Sequence, residues 1–239
     1  MTVPNRLVFD LEIAEPLPEK DGKPDFGRAT ECGVSVLVTW GAAEVSPYVH
    51  LLDSVRMPGC ALLRRSLQAA LKTCDGLVSW NGAAFDNACL EAKWEGWRDA
   101  RAGLRHVDLM ALCSLLTLDL GDLREQVLGD LQKGGVPDDW ARLTGDVPPW
   151  QRFQGLKMTE VGEATVGVGK PVGMDGARAP DLWGEGKYDA VISYAIRDVA
   201  VTRALYIHAW EKGYLLAPGR AGSNYRTEGG RVVIPRVFL

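Results

Sequence analysis

The sequence predicts an α/β fold in which helices flank a mixed central sheet of about five strands. Three strand-like stretches come first, and further strands then alternate with helices, which is the pattern of a sheet covered by helices. The strand stretches are residues 7–13, 32–40, 48–52, 76–80 and 105–109. Because turn-rich sequence joins the first three, we expect an antiparallel meander in which the second strand opposes its neighbours.

The first strand, LVFDLEI, carries two acids inside an otherwise apolar run. Side chains alternate between the two faces of a strand, so Asp10 and Glu12 share one face. Charged residues are usually exposed, and a lone pair of this kind is typical of a solvated strand edge. Whether the pair has a function therefore depends on what the rest of the chain brings to that face.

Helices are predicted from apolar residues at helical spacing and from the residues that end them. The predicted helices cover residues 62–73, about 84–94, the 110s and 120s, and about 187–212, with Gly213 ending the last one. Stretches rich in proline, glycine and charge predict loops at residues 14–30, 133–155 and 167–180. Without a clear linker, we expect one main domain over residues 1–212 and a C-terminal extension over 213–239.

The composition is that of an ordinary globular protein, with 46% hydrophobic and 24% charged residues among 239. The first residues lack a signal-peptide pattern, and no run approaches the roughly 18 apolar residues of a membrane helix. We therefore expect a cytoplasmic protein with no membrane partner. Five cysteines without C-x-x-C spacing favour neither a disulfide framework nor a zinc site.

The formal net charge of -4 argues against bulk electrostatic binding of duplex DNA but permits a local basic groove. One candidate is the C-terminal tail, for which a solubilising role is an equally good explanation. Its arginines are Arg220, Arg226, Arg231 and Arg236.

Two further acids lie at the ends of predicted strands. In VSWNGAAFDNACL, Asn81 and Asp86 flank the point where a strand gives way to a helix. Ligands bind at such strand ends in α/β sheets, but either residue alone also fits a helix N-cap. Asp108 ends the next strand, and it fits either a helix cap or a residue that supports a site from behind.

The last helix places an acid inside an apolar stripe. At about 100° per residue, its stripe contains Val191, Tyr194, Asp198, Val201 and Leu205. A carboxylate buried there without a partner would cost several kcal/mol or become protonated. No lysine or arginine shares the sector, so a bound cation is the natural partner. Tyr194 precedes Asp198 by one turn, and its hydroxyl can reach the same site.

Clustered carboxylates repel one another, and divalent cations remove that repulsion. Hard oxygen ligands suit Mg²⁺ or Mn²⁺, and none of the three histidines has the spacing of a zinc ligand set. Two such ions about 4 Å apart activate a water and stabilise the leaving oxygen in displacement at phosphorus.

The order of these residues resembles the three exonuclease motifs of the DEDDy 3′–5′ exonucleases, which belong to the ribonuclease H-like superfamily. The motifs are D-x-E (Asp10, Glu12), N-x3-F-D (Asn81, Phe85, Asp86) and Y-x3-D (Tyr194, Asp198). The chain most resembles the proofreading domain of family-B DNA polymerases and related stand-alone bacterial and phage proteins. Residues 179–206 are similar to the run through the last motif of those stand-alone proteins, and the similarity spans residues 6–212. D-x-E alone is a weak signal, whereas three motifs in order are a strong one.

The resemblance implies a ribonuclease H-like fold and catalysis with two ions, Mg²⁺ or Mn²⁺. It implies that Asp10 bridges both ions and that Glu12 and Asp198 help hold the ion that activates water. Asp86 would hold the second ion, partly through water, and Tyr194 would orient the attacking water.

The same resemblance implies that Asn81 and Phe85 shape the path of the substrate strand. We therefore expect a stand-alone enzyme that hydrolyses single-stranded DNA, or the 3′ end of a duplex, one nucleotide at a time and releases nucleoside 5′-monophosphates. An RNA 3′–5′ exonuclease is the rival enzyme, since no residue visibly reads a 2′-hydroxyl. A non-catalytic nucleic-acid or replisome-binding module with the same fold is the rival from another class.

Three other features of the sequence have both a functional and a structural interpretation. ATVGVGKP (residues 164–171) nearly spells a phosphate-binding loop, but Pro171 replaces the required Ser or Thr, which argues against a nucleoside triphosphatase. Trp140 and Trp150 fit base stacking or, more simply, loop anchors. Trp80 and Trp183 are predicted to be packing residues.

Overall fold

The computed structural model describes residues 2–42, 44–53, 63–117, 124–136, 156–169, 176–218, 227 and 229–239. The strands in chain order are β1 (Arg6–Ile13), β2 (Glu19–Lys20), β3 (Lys23–Pro24), β4 (Val34–Gly41), β5 (Tyr48–Leu51), β6 (Gly76–Ser79), β7 (Arg105–Asp108), β8 (Tyr214–Leu216) and β9 (Arg231–Val233). The α-helices are α1 (Leu63–Thr73), α2 (Asp86–Lys93), α3 (Trp97–Ala100), α4 (Leu109–Thr117), α5 (Arg124–Gly134), α6 (Met158–Val166), α7 (Ala179–Gly184) and α8 (Tyr188–Lys212). Short 3-10 helices lie at Phe26–Cys32, Gly176–Arg178 and Arg236–Phe238.

The central sheet has five strands in the order β5-β4-β1-β6-β7. β1 pairs in parallel with β6, and β6 in parallel with β7, whereas β4 runs antiparallel to both β1 and β5. Among these five strands β4 is thus the one that runs against the others. The predicted mixed sheet flanked by helices is confirmed, and the arrangement is consistent with a ribonuclease H-like fold.

The two faces of the sheet form two hydrophobic cores. On one face Val8, Val36 and Val38 pack with residues of α8, which crosses β1 and β4. On the other face Leu7 and Phe9 pack against α1, α2 and Trp97. β1 is buried on both sides, so its period of two decides which core each side chain enters. Asp10 and Glu12 follow Val8 at that period and therefore point toward α8.

Helix α8 confirms the prediction of a long helix after residue 187. It ends where Gly213 takes the left-handed conformation (φ 79°), and the Gly213 N–H donates to the carbonyl of Ala209. The predicted apolar stripe faces the sheet, while Ile196, outside that stripe, is half-buried and packs against the same core. No described helix combines the length and hydropathy needed to cross a membrane.

The segment between β1 and β4, predicted to be a loop, contains the β2–β3 hairpin and a 3-10 helix. The hairpin turn has Asp21 and Gly22 both at positive φ (54° and 71°), the geometry that favours an Asp-Gly pair between two strands. The 3-10 helix begins where the Asp25 carboxylate accepts from the Gly27 N–H at 3.0 Å. α6, α7 and the β8–β9 pair were not predicted from the sequence.

The C-terminal residues contribute to the core next to α8. β8 contacts α8 and α6, and Leu215, Val232 and Ile234 are buried. The carbonyl of Leu239 accepts from Nη2 of the buried Arg6 at 2.8 Å. Whether residues 213–239 form a separate extension stays a prediction, but those described here complete the packing of the main body.

Candidate metal centre

Three carboxylates from β1 and α8 converge where the helix packs on the central sheet. Asp10, Glu12 and Asp198 each offer an oxygen, and these ligand atoms lie within 4.8 Å of one another. Asp198 is 3% exposed and Glu12 is 6% exposed, whereas Asp10 is half-buried. Three negative charges this close repel strongly in a buried environment unless a cation or a proton offsets them. The three acids can therefore hold a metal ion.

Asp86 is the fourth acid of this region. It begins α2 at the carboxyl end of β6 and is 4% exposed. Among the described residues its Oδ2 atom has no hydrogen-bond partner. Burial raises the pKa of Asp86 well above its ordinary value, and the negative charges of Asp10, Asp108 and Asp198 raise it further.

The properties of Asp86 test whether a cation fits the site. A buried carboxylate oxygen without a partner, beside three other carboxylates, is the environment that a hard cation satisfies. Asp10, Glu12 and Asp198 form the group that could hold a metal ion, and the charge of Asp86 interacts with Asp10 and Asp198. All four acids offer oxygen ligands, which hard divalent cations prefer. The residues present therefore fit the divalent cation that the sequence implied.

The turn between β6 and α2 carries Asn81 and Phe85 as well as Asp86. Asn81 takes a left-handed conformation (φ 69°), which is uncommon for a residue with a side chain. Gly82 follows it, and a Cβ there would lie 2.6 Å from the Ser79 hydroxyl and 2.9 Å from Asp86 Oδ2. The turn therefore requires glycine at position 82 for close packing. The roles of Asn81 and Phe85 toward a substrate stay predictions.

Asp108 acts both as a helix cap and as a support for the neighbouring turn, the two alternatives that the sequence left open. Its carboxylate accepts from the Ala111 N–H at 3.1 Å and so caps the N-terminus of α4. The same carboxylate accepts from the N–H groups of Asn81 and Ala83, both at 2.9 Å. Burial raises the pKa of Asp108, and these backbone hydrogen bonds act in the opposite direction. Asp108 thus holds the turn that carries Asp86.

Tyr194 lies one helical turn before Asp198 on the buried face of α8 and is 2% exposed. Its hydroxyl borders the 3-10 turn at Gly176, because a Cβ on that glycine would lie 3.4 Å from the hydroxyl oxygen. The structure thus places Tyr194 on the helix face that carries Asp198, as the sequence predicted.

The remaining candidates have structural contacts or lie outside the described residues. Trp183 is buried and donates through Nε1 to Asp53 at 2.9 Å, and Trp80 packs at the edge of the α8-side core. Arg231 lies over the ring of Tyr214, and Arg236 donates to the carbonyl of Trp210. The candidates outside the described residues are Trp140, Trp150, Pro171, Arg220 and Arg226.

A buried hydrogen-bonded group behind Asp86 was missed by sequence analysis. It consists of Ser79, Asn87, Trp97 and His106, which lie on β6, α2, α3 and β7. The one signal in the sequence was a histidine inside a predicted strand, which does not by itself identify its partners.

Comparison with known proteins finds neighbours among solved structures. No protein-family model and no curated protein matches the chain. Among solved structures, the chain is similar to the family B DNA polymerase from the hyperthermophilic archaeon Pyrobaculum calidifontis, with a TM-score of 0.47 and 14% sequence identity. The match covers 88% of this chain and 24% of that polymerase, so the chain spans about a quarter of the polymerase's length. Similarity at this level carries no information about the roles of individual residues.

Proposed function

We propose that this protein is a metal-dependent 3′–5′ exonuclease that removes nucleotides one at a time from single-stranded DNA. The observation that carries the proposal is the convergence of Asp10, Glu12 and Asp198 within 4.8 Å, with Asp86 buried beside them. An acidic cluster of this kind has no evident structural purpose, because its charges oppose folding. The order of the motifs along the chain supports the same assignment.

Asp10, Glu12, Asp86 and Asp198 would hold two ions, Mg²⁺ or Mn²⁺. When bound, such ions activate a water and stabilise the leaving oxygen in displacement at phosphorus. β1 packs in both cores and α8 in one of them, so three of these ligands belong to well-packed elements of the fold.

In the proposed reaction a water oxygen forms a bond to the terminal phosphorus and the bond from phosphorus to the 3′ oxygen breaks. The 3′ oxygen leaves with a proton as the new terminus, and the released product is a nucleoside 5′-monophosphate. Tyr194 would orient the attacking water through its hydroxyl, and the position of this residue one turn before Asp198 on the buried face of α8 supports the role. Asn81 and Phe85 would guide the terminal nucleotide from the turn that carries Asp86.

We assign the chemistry to residues 1–212, which contain all seven proposed site residues. Residues 213–239 would serve as an extension that supports α8. Single-stranded DNA, or a frayed 3′ end of a duplex, is the proposed substrate, because a net charge of -4 offers little bulk attraction for duplex DNA.

The test is hydrolysis of a 5′-labelled single-stranded DNA oligonucleotide in Mn²⁺ or Mg²⁺. Wild type should give a ladder that shortens by single nucleotides from the 3′ end. Asp10→Asn and Asp198→Asn keep the side-chain shape but remove the charge, and both should lose the ladder. Asp189→Asn, an exposed acid on the same helix as Asp198, is the matched control and should behave as wild type.

Full activity in Asp10→Asn or Asp198→Asn, or no hydrolysis by any protein, would overturn the proposal. A matched RNA oligonucleotide separates the enzyme alternatives, since faster cleavage of RNA would reassign the substrate and keep the reaction. DNA binding without cleavage would instead identify the non-catalytic module.

A further inference from the structure

The turn from β6 to α2 is fastened at both ends to one side chain of β7, that of His106. At the start of the turn, the Ser79 hydroxyl lies 2.8 Å from His106 Nε2. At its end, Asn87 Nδ2 lies 3.2 Å from His106 Nδ1. Asn87 directly follows Asp86 in the chain, so the imidazole contacts the residue next to the proposed metal ligand.

The partners of Asn87 determine which imidazole nitrogen carries the proton. Trp97 Nε1 donates to Asn87 Oδ1 at 3.1 Å, which leaves the amide nitrogen of Asn87 to donate toward His106. His106 Nδ1 is therefore the acceptor, and Nε2 carries the hydrogen that is donated to Ser79. Burial lowers the pKa of His106 to about 3, and the charge of Arg101 acts in the same direction, so the neutral form persists at ordinary pH.

Each of these bonds restrains the backbone of the turn. The Ser79 hydroxyl also accepts from the Gly82 N–H at 3.1 Å, and the Asn87 N–H donates to the Gly82 carbonyl at 2.9 Å. Asp86 Oδ2 has no hydrogen-bond partner among the described residues, so the turn orients this oxygen in place of a direct bond. A looser turn would leave Asp86 free to withdraw from a cation.

We propose that His106 is a positioning residue for Asp86, which it holds in place for cation binding through Ser79 and Asn87. This inference rests on the proposed function, because it takes Asp86 to be a metal ligand. Groups that orient metal ligands without touching the metal typically change metal affinity about 10- to 100-fold when they are removed.

The test compares substitutions at two buried histidines in the 239-residue chain. His106→Leu removes both hydrogen bonds, whereas His106→Gln offers an amide donor and acceptor in their place. His50→Leu is the matched control, since His50, on the edge strand β5, is 3% exposed and its Nε2 lies 2.9 Å from the Thr39 hydroxyl on β4. Mn²⁺ binding is measured by calorimetry, and the Mn²⁺ concentration for half-maximal hydrolysis is measured beside it.

We expect His106→Leu to weaken Mn²⁺ binding at one site about 10- to 100-fold, with most of kcat recovered at saturating Mn²⁺. His106→Gln should recover part of the affinity, and His50→Leu should bind Mn²⁺ as wild type does. Ser79→Ala removes only one hydroxyl, so it serves if His106→Leu fails to fold, and it should weaken binding in the same direction.

Wild-type Mn²⁺ affinity in either His106→Leu or Ser79→Ala would overturn the positioning role. An equal loss in His50→Leu would also overturn it, because the effect would then be general destabilisation. If wild type binds Mn²⁺ but hydrolyses nothing, the proposed activity fails while the Mn²⁺ titrations still decide the role of His106. Absence of Mn²⁺ binding by wild type would overturn both.

Discussion

Replacing Asp86 by Asn should stabilise the protein when no divalent cation is present. Asp86 is 4% exposed, and its Oδ2 has no hydrogen-bond partner among the described residues. Burial is the largest cause of its raised pKa, and three neighbouring acids raise the pKa further. Asn has nearly the same shape and no charge, so the substitution removes the repulsion without creating a cavity.

The expected magnitude follows from the state of this carboxylate. A buried polar group without a partner costs about 1–3 kcal/mol and a charged one costs more, so Asn keeps the cost of a neutral polar group and removes the part that is due to the charge. We expect Asp86→Asn to raise the free energy of unfolding by about 1–3 kcal/mol at pH 8 in EDTA. For a chain of 239 residues, each kcal/mol shifts Tm by about 2–4 °C, so the gain is about 2–12 °C.

The gain should depend on pH in a defined direction. The pKa of Asp86 is raised in the folded state. Below its unfolded-state pKa of about 3.9 the carboxyl is protonated in both states, so wild type does not bury a charge there. As pH rises through the folded pKa, wild type loses stability while Asp86→Asn does not. The difference in unfolding free energy should therefore be near zero at acid pH, grow with pH and then become constant.

Adding Mn²⁺ should reverse the order of stability. A ligand at 100 times its Kd stabilises the folded state by about 2.7 kcal/mol, which corresponds to a Tm increase of roughly 5–11 °C here. Wild type should show this increase, and Asp86→Asn should show less of it. Denaturant or thermal unfolding across pH, with EDTA or Mn²⁺, measures both effects, and Asp189→Asn controls for loss of an exposed acid. A variant less stable than wild type at pH 8 in EDTA, or a difference independent of pH, would refute the reasoning.

Two further predictions concern side chains around the four acids. Tyr194→Phe should lower kcat about 10- to 100-fold, because it removes one hydrogen bond to a developing charge. Calorimetry should show unchanged Mn²⁺ affinity. A large loss of Mn²⁺ affinity would contradict a role confined to orienting the water. Asp108→Ala should lower the free energy of unfolding by about 2–4 kcal/mol, because it leaves the N–H groups of Asn81, Ala83 and Ala111 without their acceptor. Thermal unfolding in EDTA measures that loss, and an unchanged Tm would show that water replaces the carboxylate.

The sequence was sufficient for features that depend on local periodicity. A period of two put Asp10 and Glu12 on one face of β1, and a period of 3.6 put Asp198 inside an apolar stripe. Because an apolar stripe is usually buried against a sheet, the two patterns together favoured a meeting of the acids. The structure confirms that meeting for Asp10, Glu12 and Asp198.

Features that depend on pairing between distant residues could not be predicted in this way. His106 is 27 residues from Ser79 and 19 from Asn87, and the local sequence around each residue does not predict that they pair. Likewise, the carbonyl of Leu239 accepts a hydrogen bond from Arg6, 233 residues away in the chain. Periodicity therefore could not predict the burial of the C-terminal residues. The β2–β3 hairpin is different, because Asp21-Gly22 is a local turn signal that was present in the sequence and was not used.

Buried polar side chains at the ends of β6 and β7 divide into two kinds, and the division indicates which of them serve function. Asp108 accepts three backbone N–H groups and His106 is bonded through both ring nitrogens, so each strengthens the fold. Asp86, which follows the turn that both of these residues contact, has a buried oxygen with no such partner among the described residues and bears the repulsion of its neighbours. Natural sequences retain such destabilising residues where activity requires them. Removing the Asp86 charge and removing the Asp108 carboxylate should therefore change stability in opposite directions, although both are buried aspartates of one region. If both substitutions destabilise the protein in EDTA, Asp86 is a structural residue and the metal centre loses its fourth ligand.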